Sequence, residues 1–357
     1  MNVRVIRPKE LTPQQIQLWS GMMRPEDVTD SPFFHPEYVI TLSRFREPIR
    51  IAIITENNRE VAFFPFEQHG KTGRPLGIHL CDFQGIVRAP KTKLDVRELL
   101  AGCGLTSWHF DHVVASQPEF QAWHLRVEDS PYIALSSGFD VYAEQQKQAG
   151  RKLIPKTNAF RRKAERDLGP VRFEWHTSDR TVFETLLKWK SAQREQTGTF
   201  DILQFGWVSQ TLDALRKIHS EDFGGVLSAL YINDTLAAAS LNMKTSTVLH
   251  MWFMTYDVAF GLYSPGHILT LATIQAAAAQ GIQRVDLGRG ENAYKKRLNS
   301  GCLLVGEGTV DLNSLRHKMR GLGYQTYRRI RNSRWDGVVQ APKRMIRNFT
   351  RKRALDS

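Results

Sequence analysis

The chain has 357 residues, of which 41% are hydrophobic and 24% charged. That is too long for one ordinary core and suits two soluble, globular domains. Its three cysteines, Cys81, Cys103 and Cys302, make no C-x-x-C pair, so neither a disulfide framework nor a zinc site is expected. The net charge is +13, but residues 311–357 hold 13 Lys and Arg against 3 Asp and Glu, so basicity belongs mainly to the tail and not to the fold.

The start, MNVRVIRPKELTPQQ, lacks an apolar h-region, so no signal peptide is expected, and a reducing, cytoplasmic setting fits the cysteine usage. Helices are predicted over 13–23 and 36–45. Strands over 49–55 and 61–66 flank the turn Glu56-Asn57-Asn58 as a hairpin. LCDFQGIV (80–87) reads as another strand, 95–101 as a helix, and 108–114 and 123–127 as weaker strands. A long polar helical stretch begins near Asp140 and stops at Gly169-Pro170.

In the second half a strand at 171–176 precedes helices at 181–196 and 207–220. Strands at 226–232, 236–243 and 248–255 follow, joined by short polar turns as an antiparallel meander. The next run, 258–283, contains no Lys, Arg, Asp or Glu, but its Ser264-Pro265-Gly266 start, His267 and its alanines mark a buried helix, not a lipid-facing span. A short strand (285–287), a helix (291–299) and a last strand (303–310) complete an α/β arrangement with a mixed sheet.

The chemistry concentrates around that helix start. Serine is a good N-cap and proline suits the first turn, while Gly266 adds no Cβ that would keep a ligand from the backbone. Free amides and the positive helix end would then form an anion site. The plainer reading is a well-started helix. Asp257, Asp286 and Glu291 are the nearest carboxylates, any of which can take a proton. His250 can do so too, and strand alternation gives it the same face as Trp252 and Tyr256. A turn-shaping role for Asp257, a backbone-bonding role for Asp286 and a structural His250 are the competing assignments. In Asp286-Leu287-Gly288-Arg289-Gly290 the glycines open a turn that sets Arg289 and Lys295 where phosphate or carboxylate can be met; a pairing of Arg289 with Glu291 is the alternative. Trp189, Lys190 and Gln193 share a helix that can line an acceptor groove, though a tryptophan on an amphipathic helix is more often core and that reading is favoured. Asp82 and Gln84 share a strand face in the first half that can border the acceptor cleft or simply decorate a turn or edge.

Trp252, Tyr256-Asp257, Tyr263-Ser264-Pro265-Gly266, Asp286-Leu287-Gly288-Arg289-Gly290, Glu291 and Tyr294-Lys295 stand in an order that closely resembles the GNAT-type acyltransferase domain of the CelD/BcsL cellulose-biosynthesis family. Phe63-Phe64-Pro65-Phe66 and Cys81-Asp82-Phe83-Gln84-Gly85 resemble its N-terminal half, and Lys156…Gly169 is similar to the point where the second half of FemAB-type transferases begins. The resemblance covers roughly residues 30–305 and implies tandem GNAT-like domains, at 1–150 and 151–310, with mixed, largely antiparallel sheets flanked by helices. It implies an acyl group moved from acetyl-CoA or another acyl-CoA to an amine, on a sugar, cell-envelope or polysaccharide precursor. Tyr263, Ser264, Pro265, Gly266, His267 and Arg289 would hold the donor. Trp252, Tyr256, Asp82, Gln84 and Lys190 would hold the acceptor. Lys295 resembles in position a lysine that faces the reacting centre in FemAB enzymes. The glycine spacing usual in GNAT pyrophosphate loops is absent at 262–267, which leaves aminoacyl-tRNA open as the donor.

The tail, 311–357, mixes Arg and Lys with aromatic and aliphatic residues and is expected to be helical. Such a segment suits the inner face of an anionic membrane, a nucleic-acid backbone, or simply a solvated basic face. A catalytically inactive scaffold is the reading from outside enzymology.

Overall fold

The computed structural model describes residues 1–290 and 293–313. The basic tail, apart from its first three residues, and Glu291 lie outside the described residues. In chain order the elements are β1 (Asn2–Ile6), α1 (Pro13–Met22), α2 (Pro36–Ser43), β2 (Ile49–Glu56), β3 (Arg59–His69), β4 (Thr72–Arg74), β5 (Val87–Arg88), α3 (Val96–Gly102) and β6 (Ser107–Val114). Then come β7 (His124–Ala134), α4 (Phe139–Gln148), α5 (Leu153–Leu168), β8 (Val171–Glu174), α6 (Arg180–Gln196), α7 (Gly206–Leu215), β9 (Phe223–Ile232) and β10 (Thr235–Thr245). The last are β11 (Val248–Tyr256), α8 (Pro265–Ala279), β12 (Arg284–Asp286), α9 (Ala293–Leu298) and β13 (Gly301–Asp311).

Contacts divide the chain into two units. Among the described residues the first holds Met1–Asp27, Leu42–Glu128 and 304–313; the second holds Val28–Thr41 and the described part of Asp129–Leu303. α4 and α5 both belong to the second unit.

In the first unit β1, β2 and β3 pair antiparallel, β3 pairs with β4, and β4 lies parallel to β6, which pairs with β13. Its core is aromatic: Phe64, Phe66, Trp108, Phe110 and Phe120 are all buried together. The segment 80–87, expected as a strand, forms only the bridge Gln84–Val113, and ladder pairing begins at Val87. The reason is local. Gly85 has φ +146° and backs onto the Gln117 amide, whose side chain replaces a strand neighbour by bonding the Ile86 N–H and C=O, both at 2.9 Å.

In the second unit β8, β9, β10 and β11 form the expected antiparallel meander. β11 is parallel to β12, which pairs antiparallel with β7. Mixed, largely antiparallel sheets flanked by helices are therefore what the chain builds. The polar helical stretch from Asp140 is two helices, because the chain turns at Gly150 (φ +69°) between α4 and α5. α8 is apolar nearly all round, and it buries Ile274 and Ala277 against Leu249 and Met251 and Ile268 and Leu269 against Leu230 and Ala238. An all-apolar helix of this kind is stable only inside a core, which explains its charge-free sequence. Among the described residues no helix is long and apolar enough to cross a membrane.

Candidate acyl-transfer site

The site begins where two parallel strands part. β11 pairs with β12 only over Val248–His250 against Arg284–Asp286, and then runs on for six residues. On its other side β11 pairs with β10, but the register slips: Leu241 faces Phe253 and Asn242 faces Met251. Trp252 is therefore the extra residue of a β-bulge, a feature that bends a strand and re-aims its side chains.

The bulge corrects an expectation from strand alternation. His250 and Trp252 do share a face, both edge-on to Phe33 at 4.8 and 5.6 Å between ring centroids. Tyr256 does not join them. With one residue inserted at Trp252 the parity reverses, and Tyr256 comes against Gly266 at the start of α8. Trp252 and Phe253 lie together, 5.0 Å apart, and Arg194 of α6 sits 5.9 Å over the Phe253 ring. The two faces of β11 are thus distinct: α6 lies over one and α8 over the other.

At the head of α8 the backbone is held in an uncommon state. Ser264 has φ +50° and ψ +53°, in the left-handed region, and its hydroxyl makes no capping hydrogen bond. The expected serine cap is absent because an N-cap side chain reaches the helix amides from extended backbone, which Ser264 does not adopt. Pro265 has no N–H to offer. The amides of His267 and Ile268 turn back to the Ser264 carbonyl, at 3.0 and 3.3 Å. That leaves the Gly266 N–H as the amide with no partner among the described residues. A Cβ on Gly266 would meet Tyr256 at 3.2 Å and Met254 at 3.4 Å. Part of the reason for glycine is therefore packing against β11.

The surroundings are cationic. His267, half-buried, is held below its ordinary pKa by burial and then by Lys156 and Arg297, and its Nδ1 has no partner among the described residues. Lys163 lies 5.2 Å over the Tyr263 ring. Lys156 and Lys163 of α5 and Arg297 of α9 went unremarked as site residues in the sequence. Their signal was present: Lys156, Phe160 and Lys163 fall on one helical face.

The remaining candidates mostly have structural partners. The Asp257 carboxylate accepts from the Ala259 N–H at 2.9 Å, the turn-shaping role. Asp286 is buried and accepts from Arg284 Nε at 2.9 Å, while Arg284 also donates to both oxygens of Asp30 at 3.0 and 2.8 Å. Burial pushes the Asp30 carboxyl up, and Arg284, between two carboxylates, is held above its ordinary value. Nothing in the sequence links residue 30 to residue 284, so this cluster was invisible there. Lys295 donates to the carbonyls of Gly288 and Arg289 at 2.9 and 3.0 Å, bracing the turn where Gly288 and Gly290 take positive φ. Arg289 is half-buried in that turn. In the first unit Gln84 is bonded throughout: its Oε1 accepts from the amides of Asp111 and His112 at 3.1 Å, and its Nε2 donates to Asp111 at 2.6 Å. Asp82 lies 3.9 Å from His112 in the same cluster. Among the described residues no group of three or more His, Cys, Asp or Glu is placed to hold a metal ion.

Lys190 stands apart from these. On α6, its Nζ donates to the Met254 carbonyl at 3.0 Å and to Gln193 Oε1 at 2.9 Å. Burial, with a smaller contribution from Arg194, lowers its pKa to about 8.

A strand–helix–strand crossover with diverging parallel strands, a bulged first strand and a cationic helix start defines a class. Residues 151–296 match the Acetyltransferase (GNAT) domain, and the protein is an acyltransferase. Solved structures agree on the fold. The C-terminal DUF2156 domain of a putative lysylphosphatidylglycerol synthetase from Agrobacterium fabrum is similar at 11% identity and TM-score 0.52, over 88% of this chain and 96% of that one. FemX is similar at 11% identity and TM-score 0.54, over 90% and 100%. L-PGS from Bacillus licheniformis is similar at 12% identity and TM-score 0.51, over 87% and 96%. These likenesses take in both units. A search of curated proteins found no matching sequence.

Proposed function

We propose that the protein is an acyl-CoA-dependent N-acyltransferase. The observation that carries this reading is the opening of β11 from β12 directly before the cationic α8 start, where the Gly266 amide lacks a partner among the described residues. A helix N-terminus flanked by lysine and arginine suits a pyrophosphate; Lys156, Lys163 and Arg297 supply the charge, and the His267 ring lies among them. The edge of β11 beyond His250, which β12 does not pair, offers an extended donor arm a strand to lie along. Such a site accelerates transfer mainly by holding thioester and amine in line and by aiming backbone amides at the developing oxyanion. The resemblance to the CelD/BcsL family supports an amine on a sugar or cell-envelope precursor as acceptor.

Calorimetry with acetyl-CoA, longer acyl-CoAs and charged tRNA tests the reading. Acyl-CoA is expected to bind and Ser264→Glu to abolish binding by repelling phosphate. Binding of charged tRNA alone would replace the donor, and binding of neither, with affinity only for anionic liposomes, would favour a scaffold.

A further inference from the structure

Lys190 has no carboxylate partner among the described residues and is held between a backbone carbonyl and a side-chain amide. Both of its bonds are donated: one to Met254 O and one to Gln193 Oε1. An ammonium has three N–H groups and no lone pair; the neutral amine has two N–H groups and one lone pair. Two acceptors suffice for both N–H groups of the neutral form, whose lone pair can then accept a proton.

Its position matters as much. Met254 lies two residues beyond the Trp252 bulge, on the part of β11 that has left β12. Its carbonyl holds Lys190, while its side chain would lie 3.4 Å from a Cβ placed on Gly266. One residue thus connects the α6 face with the α8 start. Arg194, one turn along α6, is the charged group that bears on Lys190; it lies beside Asp201, whose carboxylate accepts from Ser191 Oγ at 2.6 Å. β11 offers Phe253 and Met254 there, neither titratable, and His250 lies four residues back against Phe33.

We propose that Lys190 is the general base of the acyl transfer, taking the proton from the acceptor's ammonium. This rests on the acyl-CoA reading above. The neutral Lys190 amine removes one proton from R–NH3+. The freed lone pair forms the C–N bond at the thioester carbonyl, the C–S bond breaks, and the thiolate takes a second amine proton to leave as CoA-SH. Lys190 then returns its proton to solvent. The carboxylates Asp257 and Asp286 are bonded to backbone and arginine, so this assignment gives the base to a group with an open lone pair.

Competitive labelling with trace acetic anhydride from pH 6 to 11, read lysine by lysine by mass spectrometry, tests this without knowledge of the acceptor. Lys190 should titrate with a midpoint of about 8 and at pH 8 should label on the order of tenfold faster than surface lysines, whose ordinary pKa is about 10.4. Desulfo-CoA, its binding checked by calorimetry in the same buffer, should protect it. Lys190→Arg keeps the cation and a hydrogen-bonding head but has no lone pair; it should bind desulfo-CoA as the wild type does and lose turnover of acetyl-CoA with any amine the wild type accepts. A midpoint above 10, labelling no faster than the surface, or binding without protection overturns the base alone. Failure of desulfo-CoA to bind overturns the donor reading, and the base with it.

Discussion

Each unit contains one parallel crossover, and the two end differently. In the first unit β4 leads through α3 to β6; in the second β11 leads through α8 to β12. α3 is seven residues long and closed at its start: the Asp95 carboxylate accepts from the Arg97 and Glu98 amides at 2.7 and 3.4 Å. α8 is fifteen residues long and begins at a left-handed serine whose hydroxyl caps nothing. Beside β4, the space a side chain on Gly73 would need is taken by Leu105 and Trp108, both at 2.8 Å. The same supersecondary unit thus serves as packing where a protein carboxylate fills the anion position, and as a site where it does not.

The comparison breaks most severely if β12 is loosened. Arg284→Met would leave Asp30 and Asp286 buried without their cation, and a loss of about 3–5 kcal/mol is expected in chemical denaturation. Adding a carboxylate to the open start should convert it to the closed kind. Ser264→Glu is expected to weaken CoA by at least tenfold, about 1.4 kcal/mol or more, in calorimetry. The reverse experiment, Asp95→Ala, should cost about 1 kcal/mol of stability and leave CoA affinity unchanged. Ser264→Gly relieves a left-handed residue and should raise stability by about 0.5–1 kcal/mol; a drop in stability would show that the hydroxyl has a partner.

Acid sharpens the contrast further. His35 and His267 are both held below their ordinary 6.5 by burial. A lowered folded pKa means the unfolded chain binds more protons between the two values. Stability is then complete above pH 6.5 and falls as pH drops through the folded values. A phosphate beside His267 would raise its pKa, so CoA should bind more tightly as pH falls into the range where that ring protonates, as long as the fold persists. An affinity independent of pH would remove His267 from the anion site.

Much of this was legible in the sequence. The meander β9–β11 was marked by short polar turns such as Asn233-Asp234, both of which take positive φ, and α8 by its charge-free run. The glycine turn after β12 was legible because Gly288 and Gly290 fill left-handed positions. The Trp252 bulge was not, since a bulge exists only relative to a partner strand and reverses the face of every residue after it. The Asp30–Arg284–Asp286 cluster depends on tertiary placement, and the α5 lysines were hidden in a helix with charge on most sides. Lys190 stood in the sequence only as one of three residues able to line a groove, and its unusual environment comes from the Met254 carbonyl, which no spacing rule predicts.

The most direct test observes the α8 start itself. In protein labelled with 15N at glycine, the Gly266 amide should shift on addition of CoA, saturating with the calorimetric affinity, while Gly102 at the end of α3 stays still. A Gly266 resonance unmoved at saturating CoA would contradict the account.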